Sequence, residues 1–565
     1  MLSYSTMFPL KNPVRARQHF TVVAAVTLAA VACPGATVCA GFRDDVGYTQ
    51  LQDELGAALP TGAGIPVSQI EAPDDGNYAP NTASSEFDGK YFLFQSGSSG
   101  TSTHANGMAQ RFYGNSISTA PGVTDVHLYN ADHWLGSGSL NVGLTGEPLL
   151  ETQRIQNHSW VGKLASTADS IEALQRLDFA IQRDGFLALV GTDNNSSQDD
   201  LPELLSQSYN TLSVGRTDGN HSHGLTSLNG PGRVKPELVA PPPFESASRA
   251  TARVSSAAAM LLEAAQGTQA VQPEVMKSIL MAGATKDEFG TNWVRKPPSN
   301  PNRPLDDVVG AGELNIYRSY HILDAGRQAA NNAATVAAMG WDFRQADSDG
   351  QFYFFEVPEG RRMTEFSAIL TWHVDVEDGD DGSAFIPAVS LQNLDMMLYA
   401  SSGFSATTLI DSSTSQVDNV EHIYFNEPLG IGQSLGPGQY MLEVASAAGD
   451  VDYGLAWLST LQIVMGDMDW DGDLDFDDAQ YFIAALQDAG AYEAVFGVSP
   501  SEQGDFDGDS DFDFDDIAGF VSLLTTQFGQ ATVAARISVP EPSSALLAIA
   551  AATLLAGYAV ARVKP

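Results

Sequence analysis

The period of apolar and polar positions changes along the chain, and each change marks a different kind of folding unit. From Gly47 to about Ala329, short apolar runs alternate with amphipathic stretches, the alternation of an α/β fold. Strands are predicted at 65–71, 125–129, 186–191 and 211–215, and helices at 167–182, 248–266 and 273–282. From about Trp341 to Leu458 the pattern becomes short runs separated by turn residues. Strands at 352–357, 366–374, 396–400 and 440–444 then read as an all-β sandwich of about 120 residues. Between Gly466 and Gln527 one acidic segment occurs twice, each copy followed by an apolar helix, 479–486 and 517–524. Residues 528–538 read as a linker.

Composition narrows what these units can do. The 565 residues carry 69 acidic and 28 basic side chains, a formal charge of −41. That balance excludes nucleic acid as a partner, because backbone binding needs clustered Lys and Arg. A hydrophobic content of 43% is enough to bury sizeable cores, so the charge does not signal disorder. The only cysteines, Cys33 and Cys39, lie near the start, which rules out a disulfide framework for everything after them.

The two ends read as sorting signals. Lys11, Arg15 and Arg17 precede an apolar stretch at 20–32, and Val38-Cys39-Ala40 then precedes Gly41. This is the order of an export signal covering 1–40, with an apolar run too short to span a bilayer. Cleavage after Ala40 removes both cysteines; a lipoprotein signal ending at Cys33 is the alternative. At the other end, Val539-Pro540-Glu541-Pro542-Ser543-Ser544 leads into an apolar segment at 545–560, followed by Arg562 and Lys564. That order resembles the PEP-CTERM sorting signal of exported bacterial proteins. The resemblance implies a protein held in the membrane until an envelope enzyme processes it, and so a location in the cell envelope or at the cell surface. A plain C-terminal anchor is the alternative.

The acidic repeats are spaced like metal loops. In the first copy Asp467, Asp469, Asp471, Asp475 and Asp478 occupy positions 1, 3, 5, 9 and 12; in the second Asp505, Asp507, Asp509, Asp513 and Asp516 do the same. Calcium takes six to eight hard oxygen ligands, which a 12-residue loop can wrap around one ion. Gly472 stands at position 6, the sharp turn of the loop, where the second copy has Ser510 with Gly508 two residues earlier. Seventeen acidic residues and no Lys or Arg lie between Gly466 and Gln527, so an apo module repels itself. The two loop-helix units resemble a type I dockerin, which implies Ca2+ as the bound ion and a cohesin-like protein partner. A solvated acidic linker is the alternative, as it is for the run 375–381, which otherwise could hold a further calcium.

The candidate catalytic residues lie in separated segments. The run Gly232-Arg233-Val234-Lys235-Pro236-Glu237-Leu238-Val239-Ala240-Pro241 precedes Ser248-Arg249-Ala250-Thr251-Ala252-Arg253-Val254-Ser255-Ser256-Ala257-Ala258-Ala259-Met260. A serine at the start of a helix of small residues has the helix dipole and free N–H groups beside it, where an oxyanion can develop. These runs resemble the subtilases, the subtilisin-like serine peptidases, whose G-R-V-K-P-D-L-V-A-P-G stretch leads to a G-T-S-M-A-T-P-H helix. The resemblance implies that Ser248 is the nucleophile. Upstream, His104-Ala105-Asn106-Gly107-Met108-Ala109-Gln110-Arg111-Phe112-Tyr113-Gly114, followed by Ala120-Pro121-Gly122, resembles the family's histidine helix. It implies His104 as general base, with a rival alignment that puts Thr101 in that column. In the first core strand, Ile65-Pro66-Val67-Ser68-Gln69-Ile70-Glu71-Ala72, Glu71 stands where the family has Asp, with Asp74 and Asp75 as substitutes. For the oxyanion Asn the resemblance implies Asn194, or Thr192 if Gly191 is matched instead.

Asn157-His158-Ser159-Trp160 resembles the strand entering the family's cleft, and Ser213-Val214-Gly215-Arg216-Thr217-Asp218 its A-V-G-A-T-D strand. The sequence departs from the family at Ser246-Ala247 and Ala252-Arg253, where G-T and P-H are expected. Asn393-Leu394-Asp395-Met396-Met397-Leu398-Tyr399, with Pro437-Gly438-Gln439-Tyr440, resembles accessory β-domains that follow secreted subtilases. The expected architecture is therefore multidomain. An α/β subtilisin-like three-layer domain with a parallel sheet covers 41–330, an all-β sandwich 331–462, and a small α-helical dockerin-like calcium module 463–527. A linker at 528–538 and the sorting signal at 539–565 complete it. The expected function is that of an exported serine endopeptidase acting on protein or peptide substrates. The alternative is an inactive subtilase-fold scaffold or adhesion protein assembled through the acidic module.

Overall fold

The computed structural model describes residues 3–6, 41–194, 201–241, 245–379, 382, 384–446 and 450–537. The apolar segments expected at 20–32 and 545–560, with Cys33, Cys39 and the 539–544 motif, lie outside the described residues. No helix among the described residues is long and apolar enough to cross a membrane.

The α/β unit is built on a seven-stranded sheet. Its order is Leu238–Ala240, Leu212–Arg216, Leu187–Gly191, Ile155–His158, Val67–Glu71, Asp125–Asn130, Tyr91–Phe94, and every pairing is parallel. Side chains alternate across it with the strand period of two. Val67, Val126, Leu128, Leu187 and Leu189 enter one core with the helices Thr103–Phe112, Ala247–Ala264 and Pro273–Ala282. Ile70, Tyr129, Ala188 and Val190 enter the opposite core with the helix Thr167–Asp184. Burial on both faces explains the near-continuous apolar runs of the inner strands. The strand order reverses direction around Val67–Glu71, so the crevice at the carboxyl ends of Val67–Glu71 and Ile155–His158 is where such a sheet binds ligands.

A buried charge cluster ties the last strand to the helix beneath it. The Glu237 carboxylate accepts from Lys277 Nζ at 2.7 Å and lies 2.8 Å from Lys235 Nζ, while its other oxygen accepts from Ser213 N at 2.7 Å. Burial raises the Glu237 pKa, but the two ammoniums outweigh it and hold the carboxyl down at about 2. A carboxyl lowered in the fold contributes stability above its ordinary 4.5, and that contribution is lost as pH falls through about 2. Glu237→Ala leaves two buried ammoniums without their carboxylate, and denaturant unfolding should register a loss of about 3–5 kcal/mol.

Two four-stranded antiparallel sheets follow. One runs Met339–Gln345, Asp452–Ile463, Arg361–Trp372, Val420–Asn426; the other Gln351–Val357, Gly438–Ser446, Leu394–Ser401, Ala406–Ser413. Tyr353, Phe355, Phe366, Leu398, Leu442 and Trp457 fill the core between them. The outer face of the first sheet rests on the helix Pro273–Ala282, where Thr371 Oγ1 donates to Glu274 O at 2.6 Å and Ser367 Oγ to Ala282 O at 2.9 Å.

The acidic repeats form paired loops and helices, Asp478–Gln487, Ala489–Phe496 and Ile517–Phe528, closed by the Phe482–Phe520 stack at 4.3 Å. Trp470 lies over Gly360 of the first sheet's turn, and Gln503 Nε2 donates to Gly360 O at 3.0 Å. The stretch expected to be a linker instead carries a helix, Gln530–Ile537, because Val533 is buried against the module's core.

Candidate active site

In the strand Val67–Glu71 the period of two places Gln69 and Glu71 on one side. Next to the strand's end begins the helix Thr103–Phe112, whose cap Ser102 accepts from Ala105 N at 3.2 Å. His104 therefore stands in the first turn, and its Nδ1 lies 2.7 Å from Glu71 Oε2. Because the carboxylate can only accept, this contact assigns the proton to Nδ1. Glu71 Oε1 accepts from Gln69 Nε2 at 2.8 Å, and the same amide donates to Ala105 O at 2.9 Å. Tyr113, in turn, donates its hydroxyl to Gln69 Oε1. Glu71 is fully buried, and burial holds the Tyr113 hydroxyl well above its usual pKa, so it stays a donor. Thr101 precedes the helix and bridges to Ala79, away from this contact, and Asp74 and Asp75 sit in an exposed turn.

Ser248 is also the second residue of its helix, Ala247–Ala264, capped by Ser246. The helix begins one residue earlier than expected because Ser246 accepts from Arg249 N. Ser248 Oγ donates to Ser159 O at 3.2 Å; the Ser159 hydroxyl lies 3.0 Å from Ser248 O and 2.9 Å from Asn157 Oδ1. The parallel register pairs Ile70 with His158, so Glu71 and Ser159 are neighbours at adjacent strand ends. His104, held on Glu71, and Ser248, held on Ser159, are thereby brought to one crevice, and their two helices pack on each other.

Asn194 follows the end of the strand Leu187–Gly191 and accepts from Ala247 N at 2.7 Å through Oδ1. Its Nδ2 is buried and, among the described residues, has no hydrogen-bond partner. Thr192, the alternative, is committed to Val214 O through its N–H. The strand Trp160–Lys163, directly after Ser159, carries an extended segment, Ser3–Thr6, in antiparallel register. His158 is buried against Gln156 Oε1 at 3.0 Å, and burial lowers its pKa to about 3, which suits a neutral structural residue.

Gln69 and Tyr113 complete the support of Glu71 and belong to no catalytic motif. Their signal was a Gln inside a buried strand, two residues before the candidate carboxylate, where an unpaired amide is costly.

The acidic loops bring ligand atoms together. One oxygen each from Asp467, Asp469 and Asp471 lies within 4.8 Å of the others, as do those of Asp505, Asp507 and Asp509. Asp478 accepts from Met468 N and Asp475 N at 2.6 and 2.7 Å, and Asp516 repeats this with Phe506 N and Asp513 N at 2.6 and 2.8 Å. Position 6 is left-handed in both loops, Gly472 at φ +92° and Ser510 at +74°, so the serine takes the glycine's turn. Burial and the neighbouring carboxylates push Asp467 up to about 7 and Asp478 up to about 8. Converging carboxylate oxygens of this kind fit a hard divalent cation. Asp475 and Asp513 belong to the same loops, each bonded to the N–H two residues on.

Among solved structures, the chain is similar to MycP1 from Mycobacterium smegmatis, with 16% identity over 49% of this chain and 83% of that one, and a TM-score of 0.31. It is also similar to a cold adapted subtilisin-like serine proteinase, with 15% identity over 40% of this chain and 85% of that one, and a TM-score of 0.28. No curated protein matches the chain. Residues 136–312, which hold Asn157, Ser159, Asn194 and Ser248 but not Glu71 or His104, match the subtilase family, and that match falls within the parallel-sheet α/β unit.

Proposed function

We propose that this chain is an exported serine endopeptidase that hydrolyses peptide bonds with Ser248, His104 and Glu71. The observation that carries the reading is the 2.7 Å contact between His104 Nδ1 and a fully buried Glu71, made at the strand end adjoining the one that holds Ser248. Glu71 keeps the proton on Nδ1, so that Nε2 can take the Ser248 proton as Oγ attacks the peptide carbonyl. The tetrahedral oxyanion forms beside the helix N-terminus, where Asn194 Nδ2 is a spare donor. His104 then gives its proton to the leaving nitrogen, and water resolves the acyl-enzyme by the same steps in reverse. An extended substrate would add to the edge strand Trp160–Lys163, as the segment Ser3–Thr6 does.

The acidic module is read as dockerin-like. Ca2+ would be held by Asp467, Asp469, Asp471, Asp475 and Asp478 and by Asp505, Asp507, Asp509, Asp513 and Asp516, and a cohesin-like protein is its proposed partner. The export signal at 1–40 and the PEP-CTERM-like tail at 539–565 place the protein, on this reading, in the cell envelope. The sandwich at 331–462 would be accessory to a peptidase unit covering 41–330.

One contact favours the alternative, a noncatalytic scaffold: the Ser248 hydroxyl is donated to Ser159 O. A fluorophosphonate probe separates the two. Labelling of the folded chain that disappears in both Ser248→Ala and His104→Ala supports the peptidase, and no labelling of the folded chain overturns it. Asn194→Ala should lower kcat about 10²–10³-fold with KM little changed, since Nδ2 is placed for the oxyanion, and a melting curve reads separately the loss of the Oδ1 bond to Ala247 N. An equal loss confined to KM would assign Asn194 to substrate binding instead.

A further inference from the structure

We infer that the site selects substrates bearing a carboxylate within the first three residues after the scissile bond, held by Arg111 and Arg249. The inference rests on the peptidase reading and concerns its substrate class. Three guanidiniums converge on one carboxylate beside the nucleophile. Glu245 Oε1 lies 3.3 Å from both Arg111 Nη2 and Arg249 Nη1, and its Oε2 lies 2.6 Å from Arg253 Nη1. Arg253 is nearly buried, stacked 4.5 Å over Phe42 and bonded to Pro241 O at 3.0 Å, so it serves as the structural member. Arg249 is 37% exposed and Arg111 15%. Asp45 also acts on Arg253, with Asp44 and Glu288 in reach of Asp45, so the negative charge gathers on the Arg253 side of the group and away from the exposed Arg249.

Each guanidinium offers five N–H groups. The Nε atoms of Arg111 and Arg249 are buried and Arg111 Nη1 donates to Gly107 O at 3.1 Å, so the fork a substrate reaches is the Nη edge of the 37%-exposed Arg249, of which Nη1 meets Glu245. A planar fork with unused donors matches a carboxylate better than it matches any neutral side chain.

Position gives the side of the cut. Arg249 follows Ser248 directly, and through Glu245 it reaches the His104 helix rather than the Trp160–Lys163 edge. The base must protonate the leaving nitrogen, so the leaving segment departs on the side of His104. Arg111 lies seven residues, about two helical turns or 10 Å, beyond His104. At about 3.3 Å per extended residue, that distance corresponds to the first three residues of the leaving segment.

The test uses the full chain and peptides identical except for Glu, Gln or Lys at one position after the cut. A second pair ends there in a free carboxylate or an amide, which separates a side chain from a chain terminus as the source. The expected result is a kcat/KM for Glu over Gln on the order of tenfold, with Lys below Gln. In Arg249→Gln and Arg111→Gln that ratio should fall towards one, and Arg249→Lys should keep part of it. Should either Gln variant fail to fold, raising salt from about 0.05 to 0.5 M must shrink the wild-type ratio, because the Arg249 guanidinium is partly exposed. A labelled, active wild type with a ratio of one overturns the inference and leaves the peptidase reading standing. A folded chain that neither labels nor cleaves any peptide overturns both.

Discussion

On the peptidase reading, Glu71→Gln should lower kcat about ten-thousandfold while leaving the fold intact, a loss set by the amide's orientation. Gln has the shape of Glu, but it must offer its oxygen to one neighbour and its NH2 to the other. The neighbour below is fixed: Gln69 receives the Tyr113 hydroxyl on Oε1 and donates Nε2 to Ala105 O, so its NH2 has to face position 71. Gln at 71 then turns its oxygen to Gln69 and its NH2 to His104. Nδ1 becomes an acceptor, the ring proton moves to Nε2, and the base can no longer take the Ser248 proton. The lost negative charge also removes support for the imidazolium. The measurement is kcat together with a melting curve; a large kcat loss at unchanged stability is expected, and wild-type kcat in Glu71→Gln would remove Glu71 from the mechanism. Adding Tyr113→Phe should return no activity, because Ala105 O still requires the Gln69 NH2 and so keeps that amide in the same orientation.

The legible parts of this protein are those where local chemistry and tertiary position agree. The strand ending in Glu71, the small-residue helix after Ser248 and the repeated carboxylate spacing each follow from residue order alone, and the structure has an element at every one of them. Boundaries shift where a polar residue takes up a tertiary role. The strand Arg361–Trp372 extends five residues further back than its apolar run because the register slips between Met363 and Glu365, hiding the alternation. Gln530–Ile537 reads as a linker until Val533 finds the acidic module's core. Ser510 hides a left-handed turn that only the closed loop imposes. The Gln69–Tyr113 support of Glu71 and the Arg111–Glu245–Arg249–Arg253 cluster join residues from separate segments, so no window of sequence contains either. The departure Arg253 was visible, but its meaning depended on Glu245 and Arg111 coming to the same place.

On the dockerin-like reading, removing calcium should unfold residues 464–537 well before the rest of the chain, the second large effect expected. Each 12-residue loop holds seven aspartates, three of which bring an oxygen within 4.8 Å of one another, and the two loops share the Phe482–Phe520 core, so they gain or lose order together. A unit this small has little apolar area to spare against its own charge. A cation bound only by the folded loop stabilises it by about 4 kcal/mol at a thousandfold excess over its Kd, and a second loop adds a similar amount. That is a large share of the stability of any small domain. The experiment is best done on the Ser248→Ala chain, which cannot digest itself on the peptidase reading. Calorimetry in chelator should show an early transition that calcium moves upward, and a protease cutting at Asp should reach 466–527 only when chelator is present. Asp478→Asn should bring the transition forward even in calcium, since Asp478 holds the Met468 and Asp475 N–H groups and is, on the dockerin-like reading, also a ligand. Trp470 extends the consequence beyond the module: it rests on Gly360 and donates to the Tyr492 hydroxyl at 2.8 Å, so opening the first loop frees the module from the sheet beneath it. Identical melting and identical proteolysis with and without calcium would leave the loops as charged turns and remove the ion from the reading.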